Sequence, residues 1–501
     1  MPNQNALVDW PTPRLVFIWI AVYLTLHVLL RLTLGETLET DEAEQMLLGQ
    51  WFLAGYDGQP PLYTWLQHGL FSLFGHSLAT LSVFKNLLQL ITCGFIFLSA
   101  RRLCGRDSLA ALATLSMIMI PQFAWESQRD LTHTPLVVCL AAASLFGFLV
   151  AVERKHLIDY ATLGILLGLG LLTKHNYVLF AGCLVVTGLT TGPGRKLLLD
   201  RRTAITVALA VAISSSYVSW FIGNADLATS SAHKLGTEVR WERMSGLKDL
   251  IVSAIAYLTP LWIALLFFPL GYLRLGRNLL RGRAPYHLER YLPILFTVLV
   301  LAVLILGVTH FKDRWMHPVL FLFPALFFAG LPANTDPRRV RWYTFSTLFM
   351  GTSLLVAMFA HVVAADLIGK HPSRNFPFPA IADQIRASGF ERGLIVGENG
   401  WVAGNLKYLL PESKAVAPGF VVPREHLGRF EDGILLAWET DERQAPPPKL
   451  LVFARDRLGL PVDPIGARFL TDVYQYSDTA TGTIGILRIP AWTLPPASEP
   501  P

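Results

Sequence analysis

A polytopic helical membrane protein with a small α/β domain at its C-terminal end is the fold class this sequence predicts. Three observations carry that prediction. Long apolar runs recur through three quarters of the 501 residues, and 52% of the chain is hydrophobic against 16% charged, a balance that excludes an ordinary soluble globular protein. The loops between the runs alternate in charge, strongly basic ones with ones that hold few cations, and near residue 370 the pattern changes to short strands and amphipathic helices.

A helix needs about 20 apolar residues to cross a bilayer. By that ruler spans fall near 14–34, 81–100, 108–122, 135–152, 157–172, 176–191, 203–223, 249–273, 291–309, 317–332 and 342–366, about eleven in all. The first run is followed by "LGETLETDE", a poor substrate for signal peptidase, so it reads as an uncleaved first helix. "RRLCGR", "ERK", "GRKLLLDRR", "RLGRNLLRGRAPYHLER" and "RRVR" are strongly basic, whereas residues 35–80 contain no Lys or Arg. The positive-inside rule puts the basic loops in the cytoplasm. Loops 35–80, 121–134, 224–248 and 310–317 therefore face outward, and residues 1–369 form the membrane domain. Cys93, Cys104, Cys139 and Cys183 lie in or beside apolar runs without CxxC spacing, which indicates neither a disulfide framework nor a zinc site.

Residues 370–501 read as an outward α/β domain. "GLIVGENG" and "KLLVFARD" are strand candidates, "FPAIADQIRASG" and "WVAGNLKYLL" are amphipathic helices, and "PPASEPP" closes the chain as a disordered tail. "GENG" lacks the spacing of a dinucleotide-binding loop.

The chemistry-bearing residues gather in the outward loops. "TDEAEQ", preceded by Glu39, sets four acids just beyond the first span, and "GYDGQPPLYTW" follows as a semi-rigid aromatic platform. A solvated acidic loop is the plain reading; a carboxylate beside an apolar surface acting as a general base is the functional one. The loop "PQFAWESQRDLTHTP" adds Glu126, Asp130 and His133. Cations on the outer side are few: Arg129, Lys234, Arg240, Arg243, Lys248, Lys312 and Arg314, with Lys85 at a helix mouth. "TKHN" at 173–176 forms the outward tip of a helical hairpin, where Lys174 either snorkels to headgroups or meets a phosphate anion.

Taken in order, "TDEAEQ", "GYDGQPPLYTW", "LGLGLLTKHNYVL", "RWMHP" and the outward tail resemble the GT-C glycosyltransferases of the protein O-mannosyltransferase and aminoarabinose-transferase superfamily. "QPPLYTWLQ" and "QRDLTHTP" are most similar to the bacterial branch that includes the lipopolysaccharide galacturonosyltransferases. The resemblance implies an enzyme of the bacterial inner membrane, with its site and C-terminal domain in the periplasm. It would move a hexosyl or pentosyl group from a polyprenyl-phosphate donor to a glycolipid such as lipid A or the lipopolysaccharide core, among membrane lipids and without nucleic acid.

On this sequence the resemblance maps the general base to Asp41, with Glu42 beside it. It implies that Lys174 and Arg314, with Lys85 and Arg129, hold the donor phosphate. It implies substrate contacts from Tyr56, Gln59, Pro60, Tyr63, Glu126, Asp130, His133, His175 and His317. Glu44, Gln45 and Gln59 stand where relatives often carry an aromatic pair and a His, and His133 stands where many carry a second acid. No cofactor is required and no metal site is assigned, although Asp41 with Glu126 or His133 is the set that would ligate a divalent ion as in some relatives. A protein acceptor, a secondary transporter and a non-catalytic envelope scaffold are the alternatives. The lack of a two-fold hydropathy repeat and the clustering of charge in outward loops rather than mid-membrane count against the transporter.

Overall fold

The computed structural model describes residues 10–236, 243–281, 285–332, 335–427, 429–430, 432–441, 444–463 and 465–493. The C-terminal "PPASEPP" segment, Arg240 and the middle of loop 224–248 lie outside the described residues.

Helix α1 (Pro13–Thr33) starts where Thr12 caps the first turn and Pro13 supplies a preset φ. A short linker leads to α2 (Thr40–Leu48), which carries the acidic motif. Its capping box is made by Glu39 and Glu42, the Glu42 carboxylate accepting the Glu39 N–H at 3.2 Å. After a platform loop comes α3 (Leu62–Phe74), an inverted amphipathic helix. Tyr63, Thr64 and Gln67 are buried, while Leu73 and Phe74 are 76% and 70% exposed. Such a helix lies along a bilayer surface with its polar side turned to protein. Helix α4 (Leu78–Cys104) runs from the Ser77 cap to Gly105, which takes the left-handed φ of 64° that ends the helix.

Six described helices are long and apolar enough to cross a membrane, or up to nine if each of three bent pairs is one span. The eleven crossings read from hydropathy are thus not all met by long helices. The run expected at 317–332 is apolar because it is core: it breaks into Pro-started turns at His317–Leu320 and Phe323–Ala329, and Phe321, Phe327 and Phe328 are fully buried. The hairpin read around "TKHN" is present, its arms being Leu157–Leu171 and Tyr177–Leu189.

The C-terminal unit is an α/β layer. β1 (Leu394–Gly397) lies between β2 (Lys414–Val416) and β4 (Ile434–Glu439), both parallel to it; β6 (Thr481–Ile489) and β5 (Arg468–Val473) extend the sheet antiparallel, in the order β2-β1-β4-β6-β5. β3 (Arg429–Phe430) and β7 (Trp492–Thr493) form a separate pair. Alternate strand residues face two cores: Ile395, Leu435 and Ala437 meet the helices Phe378–Ala387 and Gly400–Leu409, while Leu394, Val396, Leu436 and Trp438 meet Leu450 and Phe453. Leu47 at the end of α2 completes the first core and Trp51 the second. The acidic motif is therefore packed between the membrane helices and the sheet unit.

Candidate active site

Glu42 and Asp41 are neighbours in sequence and opposites in environment. Glu42 is 1% exposed; Arg31 meets it through Nε at 3.1 Å and through Nη2 at 2.7 Å, and Lys85 Nζ lies 3.6 Å away. Burial alone would raise its pKa, but Arg31 and Lys85 outweigh burial and bring it to about 2. This corrects two expectations. Glu42 is a buried ion-pair partner rather than a free base, and Lys85 is committed to Glu42 inside the protein rather than standing at a helix mouth. Arg31 also donates to the carbonyls of Gly35 and Thr37 at 2.9 Å each, so one guanidinium ties the end of α1 to the start of α2.

Asp41 is half-buried on the first turn of α2. Its Oδ2 accepts the Thr132 N–H at 3.3 Å, and its own N–H donates to Asp130 Oδ1 at 2.8 Å. Its Oδ1 accepts no hydrogen bond among the described residues. The two loops are thereby locked together at the carboxylate, and Asp130, a candidate read from the second of them, is brought to it. Burial and the nearby Asp41 charge push the Asp130 carboxyl well above the usual carboxylate range. Burial and Asp41 likewise hold Glu44 well above its ordinary value, and burial brings Asp57 up to about 6 against the Gln59 N–H that it accepts at 2.8 Å.

Cations face this acidic group from the hairpin tip and the 310–317 loop. Lys174 is half-buried and donates to Thr134 Oγ1 at 3.1 Å. Burial lowers its pKa to about 8, Asp41 opposing and Arg314 and Lys234 adding to the fall. The charges of Asp41 and Arg314 thus both bear on Lys174. Asn176 donates to the Trp315 carbonyl at 3.3 Å and Gln122 to Asp313 at 2.7 Å, which fixes the Arg314 loop against both the hairpin tip and the second outward loop.

The remaining expected contacts divide. Tyr56 is 1% exposed; its hydroxyl donates to the Trp51 carbonyl at 2.8 Å and accepts the Leu53 N–H at 3.1 Å, so it holds its own loop and offers no substrate contact, a further correction. Pro60 and Tyr63 are buried, Tyr63 against His133 with ring centres 5.2 Å apart. His133 Nε2 meets Gln45 Nε2 at 3.1 Å, and Gln45 in turn accepts the Thr64 hydroxyl, a chain that braces α2 on α3. Gln59 is partly exposed at the platform. His175 is exposed with Nε2 on the Tyr217 hydroxyl at 3.1 Å, and His317 is buried edge-on to Tyr257. Arg129 pairs with Glu126 at 2.9 Å, the two side chains being 44% and 27% exposed. The Asp41 carboxylate accepts from the Thr132 N–H, Glu126 from Arg129, and His133 meets Gln45. Among the described residues no group of three or more His, Cys, Asp or Glu is arranged to hold a metal ion.

Two site residues escaped the sequence reading. Arg31 was visible as a charge inside an apolar span, a signal in itself. Arg374 lay at the start of the tail with nothing to mark it; it is 2% exposed, lies 3.6 Å from Glu39 and donates to the Arg129 carbonyl at 2.8 Å.

Residues 58–220 match the family model described as dolichyl-phosphate-mannose-protein mannosyltransferase. The lipopolysaccharide core galacturonosyltransferases RgtB and RgtA of Rhizobium johnstonii are 31% and 30% identical over 418 and 414 residues, which is 81% of this chain in each case and 84% and 82% of theirs. Among solved structures, ArnT from Cupriavidus metallidurans bound to undecaprenyl phosphate superposes with a TM-score of 0.61 at 14% identity, covering 93% of this chain and 97% of that one; its apo form gives 0.59. The chain belongs to the GT-C superfamily of membrane glycosyltransferases, in the family of these two galacturonosyltransferases.

Proposed function

We propose that the protein is an inverting glycosyltransferase that moves a sugar from a polyprenyl-phosphate donor to a lipopolysaccharide-type glycolipid at the outer face of the bacterial inner membrane. The observation that carries this reading is Asp41: one carboxyl oxygen is held by the Thr132 N–H, the other is unbonded among the described residues, and the charges of Asp41 and Arg314 both bear on Lys174 at the hairpin tip. In the reaction the acceptor hydroxyl attacks the anomeric carbon and the bond from that carbon to the phosphate oxygen breaks. The hydroxyl proton passes to Asp41, and the polyprenyl phosphate leaves with its charge met by Lys174 and Arg314. A single in-line displacement inverts the anomeric centre. The similarity to the lipopolysaccharide core galacturonosyltransferases RgtA and RgtB favours a galacturonosyl group as the sugar and a lipopolysaccharide core as the acceptor.

The test is sugar transfer by the full chain in detergent, with no ion gradient, from radiolabelled polyprenyl-phosphate galacturonic acid to purified core glycolipid. Wild type should transfer label, and Asp41→Asn should retain its fold while losing about 10²- to 10³-fold in turnover, the scale of a general base and its electrostatic contribution. Near-normal turnover by Asp41→Asn would remove that residue from the base role.

A further inference from the structure

The linker that launches α2 makes most of its polar contacts with the C-terminal unit rather than with the membrane helices. Asn405 is fully buried in the helix Gly400–Leu409; its Oδ1 accepts the Leu38 N–H at 2.7 Å and its Nδ2 donates to the Leu38 carbonyl at 3.2 Å. Trp401 Nε1 donates to the same carbonyl at 2.9 Å. Both peptide groups of Leu38, three residues before Asp41, are therefore read by side chains of one helix. The Thr37 hydroxyl donates to the Phe376 carbonyl at 2.6 Å, and Ser373 donates to Glu39 at 3.0 Å.

Gly404 makes this contact possible. A glycine inside a helix costs about 1 kcal/mol relative to alanine, so its presence calls for a reason. A Cβ at position 404 would lie 1.9 Å from the Ala43 carbonyl oxygen and 2.8 Å from the Ala43 Cα. The two helices touch backbone to backbone, two residues along from Asp41, and the atoms that would have to yield there are main chain.

We infer that Gly404 and Asn405 are positioning residues of the transferase: the C-terminal unit, through this helix, sets where the Asp41 carboxylate stands. The inference rests on Asp41 acting as the base. Neither residue reaches the donor-phosphate cations, which stand on the hairpin tip and the 310–317 loop. A displaced α2 thus moves the base relative to the anomeric carbon while leaving donor binding intact, and a misplacement of about 1 Å costs on the order of 10²-fold in rate.

The experiment measures kcat and donor KM for the full chain carrying Gly404→Ala, Asn405→Asp, Asp41→Asn and the two doubles with Asp41→Asn. Gly404→Ala should lower kcat by about 10²-fold with donor KM unchanged within about twofold. Asn405→Asp keeps the acceptor for the Leu38 N–H and loses the donor, and should lower kcat by about 10-fold in the same pattern. In the Asp41→Asn background each second substitution should remove less than about twofold more, because residues that act as a unit are not additive. Normal kcat in both single variants, or losses that multiply in the doubles, would overturn the inference. If Gly404→Ala does not fold, Asn405→Asp decides by the same cycle. A fully active Asp41→Asn would instead sink the base assignment, which is a separate outcome from normal kcat at positions 404 and 405.

Discussion

Asp41 and Glu42 show what adjacent carboxylates become when one is enclosed by cations and the other is left half open. Removing the charge at Glu42 leaves Arg31 and Lys85 buried without their counter-charge, and breaking such a pair costs about 3–5 kcal/mol. Glu42→Gln should therefore lower the thermal midpoint of the detergent-solubilised protein sharply, whereas Asp41→Asn should barely move it. The acid side follows from the same shift. With its folded pKa at about 2, below the ordinary 4.5, Glu42 contributes stability that is complete above the ordinary value and is lost as pH falls toward 2. The Gln variant should show a flatter acid limb. Lys174 gives the opposite end of the pH axis. Its pKa of about 8 means that the free enzyme loses the phosphate-binding charge as pH rises through that value, so kcat/KM for donor should fall above pH 8. Lys174→Arg should carry the limb to higher pH, because a guanidinium stays protonated. A profile flat to pH 10 in wild type would separate Lys174 from the donor. Asp41 and Lys174 were legible in the sequence because both stand in short, distinctive outward stretches. The fate of Glu42 was not, since a charge inside an apolar helix does not say which distant carboxylate Arg31 will meet.

Between elements, the decisive feature is the seam of α2 with the sheet unit. Its parts were readable: "WVAGNLKYLL" reads as a helix by its apolar spacing, and "GLIVGENG" as a strand by its run of β-formers. Their docking was not readable, because local patterning specifies which face of a helix is apolar but not which distant segment will cover it. The interior glycine at 404 was the one available signal. The seam also has an apolar part. Leu47 is 1% exposed in the core formed with Phe378, Ile381 and Leu406, so Leu47→Ala should cost about 2–5 kcal/mol. Hydrogen exchange should then quicken both in 40–48 and in 400–409; exchange that quickens in only one of the two would show that they do not open as a unit. The run at 317–332 is broken in a related way, its two short helices being held in the core of the bundle by Phe321, Phe327 and Phe328.

Across the whole molecule, contacts sort the helix ends into two groups without reference to charge. One group joins the end of α1 to the start of α4 through Arg31, Glu42 and Lys85, the hairpin tip to the 310–317 loop through Asn176 and Trp315, and the end of the helix Pro337–Val363 to the C-terminal unit through Asn375 and the Val362 carbonyl. The other joins the far end of α4 to the end of the helix His133–Arg154 through Arg102 and Glu153, and ties Arg202 to the Lys155 carbonyl and Arg290 to that of Thr190. The 27 residues of α4 separate the groups by about 40 Å, enough to cross a bilayer. The second group holds the basic loops, so the positive-inside rule puts it in the cytoplasm and Asp41 with the sheet unit outside. An alkaline phosphatase fusion after residue 370 should accordingly be active and one after residue 285 inactive. Activity at 285 with silence at 370 would invert the molecule, and a polyprenyl-linked donor would then have to be met from the cytoplasmic leaflet.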